Sequence, residues 1–295
     1  MTENANMIQS MTGYAVGDKS VATAAIHLEL KSVNSRFLDI SFRAGEELRF
    51  LEMPLREQLA ARIGRGKVEC RINLVPPSDG ARRELVPDAA LVGQLGRLEQ
   101  AVRQLLPDAA PLSVAEVLRW PGVLGDDSIA PALIQSECLA LVAGVLDEFI
   151  ASRRREGAKL AATLLERVAK MRELVARVGP MLPQALADYE QRLTARLREA
   201  VAALDEERIR QEIGVVAARI DVAEELARLA THLDEVQRVL DKGGAVGKRL
   251  DFLMQELNRE ANTLASKSVS TDVTAIALDL KLLIEQMREQ VQNLE

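Results

Sequence analysis

The sequence predicts an α+β fold in which a small mixed domain is followed by a longer, helical part. Alternation of apolar and polar residues, typical of strands, is confined to the first 75 residues, where one amphipathic helix interrupts it. From about residue 131 onward, apolar residues recur at helical spacing instead. Hydrophobic residues make up 48% of the chain and aromatic residues 3%, so its cores are expected to be aliphatic, which favours packed helices.

The N-terminal domain, residues 1–130, is predicted from its strand, helix, strand order. Residues 8–16 are expected to open a sheet, and a turn at Gly17-Asp18 is expected before the next strand. A bulge or tight turn is expected near residue 34, where two polar residues interrupt the alternation. The predicted elements are strands at 21–30, 33–42 and 67–75, a helix at 46–63 and a second helix from Pro87.

Residues 131–207 are predicted to form a connector of long helices, and residues 208–295 a C-terminal helical domain. Gly179-Pro180 is expected to end the first long helix, because proline lacks the N–H that a helix interior needs. Helices of such length without a matching globular core usually form arms or oligomer interfaces, so we expect a homo-oligomer. The predicted helices span 136–178, 183–204, 206–240, 247–268 and 272–294.

The composition indicates a soluble protein of a reducing compartment. Cys70 and Cys138 are too few for a disulfide framework. No apolar run approaches the roughly 20 residues that cross a bilayer, and the chain starts with the polar segment MTENANM. We therefore expect a cytoplasmic protein without a membrane partner.

The formal net charge of −6 argues against a protein that coats nucleic acid without specificity, because such proteins usually carry a basic face. It leaves room for a local basic groove. Phosphate-cradling GxxxxGK[ST] loops, GxGxxG turns, GxSxG elbows and HExxH pairs are all absent from the sequence, which removes the commonest nucleotide-dependent and hydrolase mechanisms.

The stretch from Gly247 to Ser268 carries the densest set of polar groups. On a helix its leucines gather on one side, whereas five polar residues at spacings of four, three, four and four form one stripe. Asn, Asp and Ser are poor choices for a merely solvated helix face, so their presence indicates a polar site. The alternative is a surface helix rich in amides and ion pairs. The stripe comprises Asp251, Gln255, Asn258, Asn262 and Ser266.

A second cluster combines carboxylates with a histidine. Asp221, Glu225 and His232 share one face of a predicted helix with Arg228. Carboxylates and imidazole suit Mn²⁺, Mg²⁺ or Zn²⁺, which lower the pKa of a bound water. One helix cannot complete such a site, so further carboxylates would have to come from the next predicted helix. The alternative is an ion pair between Glu225 and Arg228 beside an ordinary surface histidine.

Several distinctive segments follow one another along the chain. They are MIQSMTGY at 7–14, KSVNSRFLD at 31–39, RGKVE at 65–69, RWPGV at 119–123, RIDVAEE at 219–225, 249–268 and IEQMREQVQNLE at 284–295. Together they resemble the YicC/YloC family of bacterial endoribonucleases. The resemblance implies a cytoplasmic, divalent-metal-dependent endoribonuclease that cuts single-stranded RNA. It also implies an N-terminal α+β domain, a C-terminal helical domain and a ring-like homo-oligomer, expected to be a hexamer.

These observations lead to a residue-level hypothesis. A divalent ion, Mn²⁺ or Mg²⁺, activates water or the RNA 2′-hydroxyl for phosphodiester cleavage. The expected metal ligands are Asp221, Glu225, His232 and Asp251, and the expected catalytic residues are His232, Glu225, Glu256 and Glu260. The expected RNA-binding residues are Asn34, Arg36, Arg65, Lys67, Arg249, Asn258, Arg259, Asn262 and Lys267. The rival hypothesis is a non-catalytic RNA-binding adaptor or scaffold that acts with another nuclease.

Overall fold

The computed structural model describes residues 7–22, 24–75, 86–124, 129–200, 207, 210–211, 213–214 and 220–295. Within them, the chain forms a four-stranded sheet, one very long helix and a C-terminal group of helices, which confirms the predicted α+β class. Two hydrophobic cores lie along the long helix, one beneath the sheet and one among the C-terminal helices.

The sheet contains four strands in the order β1-β2-β4-β3. β1 pairs with β2, and β2 with β4, in antiparallel fashion, whereas β3 runs parallel to β4. One face is apolar because every second residue points inward, as the alternation predicted. The strands are β1 (Gly13–Val21), β2 (Ala24–Val33), β3 (Leu38–Ala44) and β4 (Gly66–Val75), and a 3₁₀ helix (Glu46–Leu51) leads into helix α1 (Glu52–Ala60) between β3 and β4.

The first turn lies later in the chain than predicted. Gly17-Asp18 is in the middle of β1, and the strand ends at Val21, before Ala22, whose φ is +49°. A Cβ atom at Gly17 would lie 2.5 Å from a methyl group of Val145. This glycine therefore allows a helix to pack closely on the strand and does not mark a turn.

Helix α2 (Ala89–Leu105) and helix α3 (Val114–Arg119) follow the sheet. The Asp88 side chain caps α2 by accepting hydrogen bonds from the backbone N–H groups of Ala90 and Leu91. Asp88 N also donates to Val123 O at 2.7 Å, and this bond joins the start of α2 to the residues that follow α3. The helix predicted from Pro87 is therefore confirmed and begins at Ala89.

Helix α4 (Pro131–Ala200) is 70 residues long and contains Pro180 and Pro183. The prediction that Gly179-Pro180 ends this helix was wrong. Met181 and Leu182 pack against the C-terminal core, so tertiary contacts carry the helix past the two missing N–H groups.

The two cores share α4. Its first part contributes residues such as Phe149 to the core beneath the sheet, and its middle contributes residues such as Met171 to the C-terminal core. The division of the chain at residues 130 and 207 stays a prediction, but the part of α4 between Ile134 and Leu182 contributes to both cores. No described helix combines the length and apolar character needed to cross a membrane.

The C-terminal helices are α5 (Ala223–Lys242), α6 (Gly247–Lys267) and α7 (Thr271–Val291). The predicted helix at 206–240 was wrong at its centre, because residues 220–222 are not helical. Asp221 precedes α5, and its Oδ1 accepts a hydrogen bond from Ala223 N at 3.0 Å. Asp221 competes for a backbone N–H in the manner of a capping residue, so it does not share a helical face with Glu225 and His232.

Gly157 provides a direct test of the packing of α4. A Cβ atom at this buried position would collide with the backbone carbonyl of Ile8. We predict that Gly157→Ala lowers the free energy of unfolding by about 1–3 kcal/mol, as overpacking does. Urea denaturation followed by circular dichroism measures the change.

Gly144→Ala is the matched control, because Gly144 is also in α4 but its Cβ would meet nothing within 4 Å. There, the better helix propensity of alanine should raise stability by up to about 1 kcal/mol. Equal shifts in the same direction for both variants would contradict the packing described.

Candidate functional site

The last residues of the chain lie beside residues 9–11. Met11 N donates to Asn293 O at 2.8 Å, and Glu295 N donates to Gln9 O at 2.9 Å. Residues 292–295 therefore run beside residues 9–11, just before β1. This pairing ends α7 at Val291, earlier than predicted, and brings the C-terminal helices to the edge of the sheet.

Arg153 of α4 fixes this junction from beneath. Its side chain is buried, its Nε donates to Ser10 O at 2.6 Å, and its Nη2 donates to Glu295 Oε2 at 2.5 Å. The guanidinium also lies over the ring of Phe149. Burial lowers the pKa of Arg153, whereas Glu295 opposes that change. One cation thus holds together three distant parts of the chain.

A cavity of about 360 Å³ opens beside this junction. Three of its lining residues are cations from different parts of the chain: Arg65 precedes β4, Lys248 lies in the first turn of α6, and Arg288 in the last turn of α7. We call this cavity the basic cleft. Its lining residues are Met11, Asn34, Arg65, Gly247, Lys248, Asp251, Arg288, Val291, Gln292 and Leu294.

Glycine at position 247 is required for this geometry. A Cβ atom there would collide with the backbone carbonyl of Leu294. The first turn of α6 can therefore lie directly against the C-terminal residues, which places Lys248 in the cleft.

Hydrogen bonds hold the walls of the basic cleft in place. Asn34 Nδ2 donates to Gln292 O, and Arg65 Nε donates to Ser35 O at 2.9 Å. Among the residues that the structure describes, no carboxylate forms an ion pair with Arg65 or Lys248. Cations without a carboxylate partner in a cavity suit an anionic ligand.

The carboxylates predicted for catalysis lie elsewhere. Glu225 and Glu260 are each only 4% exposed, at the start of α5 and within α6. Glu225 Oε1 is 2.8 Å from Lys267 Nζ, which also donates to Asp221 O at 3.0 Å. Glu225 Oε2 is buried without a hydrogen-bond partner. The hydrogen bond with Glu225 raises the pKa of Lys267.

Arg228 completes this arrangement. It forms ion pairs with Glu224 and, at 3.5 Å, with Glu260. The predicted alternative was an ion pair between Glu225 and Arg228. Both residues do form ion pairs, but Glu225 pairs with Lys267, and Arg228 pairs with Glu224 and Glu260. We call Glu224, Glu225, Arg228, Glu260 and Lys267 the ion-pair network.

In the part of the chain that the structure describes, the predicted metal ligands are not gathered in one cluster. Over the described ranges, no group of three or more His, Cys, Asp or Glu residues is placed to hold a metal ion. A divalent cation would also have to displace Lys267 from Glu225. His232 and Glu256, both half-buried, belong neither to the basic cleft nor to the ion-pair network. The described residues of one chain thus provide no cluster of three side chains for a metal ion.

Of the predicted RNA-binding residues, Asn34 and Arg65 meet in the basic cleft, and Lys267 is engaged in the ion-pair network. Arg249 is paired with Glu235 at 3.2 Å. The others are exposed outside the cleft lining: Arg36, Lys67, Asn258, Arg259 and Asn262.

Lys248 is one of the local basic groups that the sequence offers to a polyanion, although it is not among the expected RNA-binding residues, and Arg288 belongs to neither set. Both residues reach the cleft because α6 and α7 approach the sheet. The sequence gives one local sign of this approach, the glycine before Lys248. Arg288 also forms a 3.7 Å ion pair with Glu285 within α7. In the sequence, the two residues therefore look like an ordinary ion pair on a helix surface.

A larger cavity, of about 610 Å³, lies between α4 and the turn that joins α6 to α7. Its described lining is mostly apolar and includes one charged residue, Asp221. Since it offers no cation to an anionic ligand, we place the candidate site in the smaller basic cleft.

Comparison with known proteins supplies the family. The model "Endoribonuclease YicC-like, N-terminal region" matches residues 8–162, and the model "Endoribonuclease YicC-like, C-terminal" matches residues 178–295. The chain belongs to the YicC-like endoribonuclease family. Probable endoribonuclease YicC of Haemophilus influenzae is 41% identical over 289 residues, covering 98% of this chain and 100% of that protein. The protein of the same name from Clostridioides difficile is 27% identical over 296 residues, covering 98% and 100%.

Membership of the YicC-like family confirms the resemblance noted in the sequence. The two YicC-like models leave residues 163–177 of α4 between them. That interval belongs to the helix that both hydrophobic cores share.

The ion-pair network yields a prediction about stability. Lys267→Met should destabilise the protein near neutral pH, because it leaves the buried Glu225 carboxylate without its counter-charge. The double variant with Glu225→Met should recover much of the loss. The raised pKa of Lys267 means that the pair stabilises fully below pH 10.5, the ordinary lysine value, and loses its effect as pH rises through the raised value.

Urea midpoints of wild type, both single variants and the double variant form a cycle that measures this coupling. Additive effects of the two substitutions would show that the pair contributes nothing.

Proposed function

We propose that this protein is an endoribonuclease that binds single-stranded RNA in the basic cleft. The observation that carries the proposal is the convergence of Arg65, Lys248 and Arg288 with Asn34 in one cavity. The names of the relatives from Haemophilus influenzae and Clostridioides difficile, both probable endoribonucleases, support the activity.

The basic cleft matches the chemistry of an RNA backbone. Arginine and lysine hold phosphates through charge-assisted hydrogen bonds, and an amide such as that of Asn34 can contact sugar or base edges. Cations fixed around a phosphodiester would also stabilise the charge that develops during cleavage. Because the net charge of the chain is −6, binding has to depend on such a local concentration of cations.

The size of the cleft favours a single strand. A cavity of about 360 Å³ lies near the lower end of small-ligand sites, which span roughly 300–1,000 Å³. Such a cavity has room for one unstacked nucleotide. Proteins reach individual nucleotides most readily in single-stranded RNA, where the bases are splayed out.

We also propose that the protein depends on a metal ion, assembles as a ring-like homohexamer and resides in the cytoplasm. These three properties are proposed from its membership of the family. Over the described ranges, one chain brings no three metal-binding side chains together. The chain itself contributes the cations that bind and orient the phosphates.

A second candidate is an RNA-binding adaptor that acts with another nuclease. The observation that favours it is the ion-pair network, because Glu225 and Glu260 are already paired with cations and are not free for acid or base chemistry. An adaptor needs the basic cleft but no reactive carboxylate.

Cleavage of a circular single-stranded RNA by purified protein distinguishes the two functions, because a circle has no ends for an exonuclease to attack. Parallel reactions contain Mn²⁺, Mg²⁺ or EDTA. If the protein is an endoribonuclease, linear products should form when a metal is present. Tight binding without cleavage under all three conditions would support the adaptor instead.

Glu225→Gln and His232→Ala test the predicted catalytic residues in the same assay. From the ion-pair network we expect Glu225→Gln to affect stability more than the rate at temperatures where the protein stays folded. A folded but inactive Glu225→Gln variant would restore the catalytic assignment.

Lys248 tests the binding site. Lys248→Ala should weaken RNA binding roughly tenfold, the effect of losing one hydrogen bond to a charged group. It should also reduce the slope of log affinity against log salt by about 0.7, one phosphate contact on a single strand. Fluorescence anisotropy at several salt concentrations measures both.

Lys170→Ala removes the same charge from α4, where Lys170 pairs with Glu166 at 2.7 Å and does not line the cleft. This control should bind RNA almost as wild type does. Similar losses in both variants would mean that overall charge, and not the basic cleft, governs binding.

A further inference from the structure

Asp251 is the only acidic residue in the described lining of the basic cleft. We infer that Asp251 selects RNA over DNA by accepting a hydrogen bond from a ribose 2′-hydroxyl. This inference rests on the proposed function, because it requires a nucleotide in the cleft.

A site built only for phosphates has no use for Asp251. Its carboxylate repels phosphate and weakens the attraction that Arg65, Lys248 and Arg288 exert. An ionised carboxylate only accepts hydrogen bonds, so its partner must be a donor group of the ligand. The 2′-hydroxyl is the donor that RNA has and DNA lacks.

The geometry leaves Asp251 able to bind a ligand. Its Oδ2 accepts a hydrogen bond from Gln255 Nε2 at 3.0 Å, which orients the carboxylate. An ionised carboxylate offers about four lone-pair positions, so the second oxygen retains its capacity. The side chain is partly exposed, and no lysine or arginine in the described part of the chain forms an ion pair with it.

Asp251 differs in this respect from the buried carboxylates. Glu225 and Glu260 are neutralised by Lys267 and Arg228 and are closed to solvent. Asp251 is therefore the carboxylate that an RNA strand in the cleft would meet.

The position of Asp251 relative to Lys248 fits one stretch of backbone. The two residues are three apart on α6, so their Cβ atoms lie about 5–6 Å from each other on the same face of the helix. A phosphate held by Lys248 and a ribose hydroxyl held by Asp251 would belong to the same nucleotide or to neighbours.

The sequence predicted a metal ligand at this position, and the surroundings argue against that role. The other charged residues that line the cleft are three cations, and Asp251 is not part of any described cluster of three metal-binding side chains. A single carboxylate among cations is better matched to a hydroxyl donor than to a divalent ion.

The test compares two oligonucleotides of identical base sequence, one of ribonucleotides and one of 2′-deoxyribonucleotides with deoxyuridine in place of uridine. Binding is measured by fluorescence anisotropy in EDTA for wild type, Asp251→Ala and Asp251→Asn. Wild type should prefer the RNA. Asp251→Ala should bind the RNA roughly tenfold more weakly than wild type does, because it loses one hydrogen bond to a charged group. It should bind the DNA as well as wild type does, or better.

Asp251→Asn keeps one acceptor oxygen and should retain part of the preference. Glu285→Ala removes one negative charge beside Arg288 without altering the cleft lining, so the RNA-to-DNA ratio should stay as in wild type. Unchanged DNA affinity in Asp251→Ala also shows that this variant is folded.

Equal affinity of wild type for both oligonucleotides, or equal losses on both in Asp251→Ala, would overturn the inference. Cleavage of circular RNA by wild type would in that case still support the proposed function. If Lys248→Ala bound RNA like wild type, the cleft itself would be wrong and the inference would fail with it.

Discussion

The buried guanidinium of Arg153 joins the segment before β1 and the C-terminal residues to α4. Taking a charge out of water is costly, and here the cost is offset by the Glu295 carboxylate and the Ser10 carbonyl. The two partners lie in the first and last described segments of the chain, and both are thereby fixed to the central helix α4. Removing either partner would leave a buried charge with too few hydrogen bonds. The basic cleft lies beside this junction, where residues 292–295 pair with residues 9–11 and bring α6 and α7 to the edge of the sheet.

An acidic chain acquires a basic site through the way in which its cations are paired. Lys267 and Arg228 are used to neutralise buried carboxylates, so they hold α5 against α6 and offer little charge to a ligand. Arg65 and Lys248, in contrast, face a cavity and have no carboxylate partner in the described structure. Global charge is therefore a poor guide to what this protein binds. The distribution of ion pairs, which only the fold reveals, decides where a polyanion can lie.

Local patterns predicted most of the fold. Alternation in the second strand and helical spacing from residue 131 gave the α+β class, because burial of one face imposes these periods. The same reasoning failed at Gly179-Pro180, where packing of Met181 and Leu182 outweighs the proline signal. For the site, Asn34 and Arg65 were found from residue type and motif. Arg288 was missed, since its place beside them depends on contacts across more than 200 positions of sequence, which no local pattern encodes.

Photocrosslinking shows whether RNA lies in the basic cleft. A single-stranded RNA with 4-thiouridine would be irradiated on the intact protein, and the attached peptides identified by mass spectrometry. We expect crosslinks on peptides that contain Asn34, Lys248 or Arg288, which lie far apart in sequence and meet in the cleft. Crosslinks confined to the segment from Asp221 to His232, with none at the cleft, would contradict this expectation and return the active site to the carboxylates of α5.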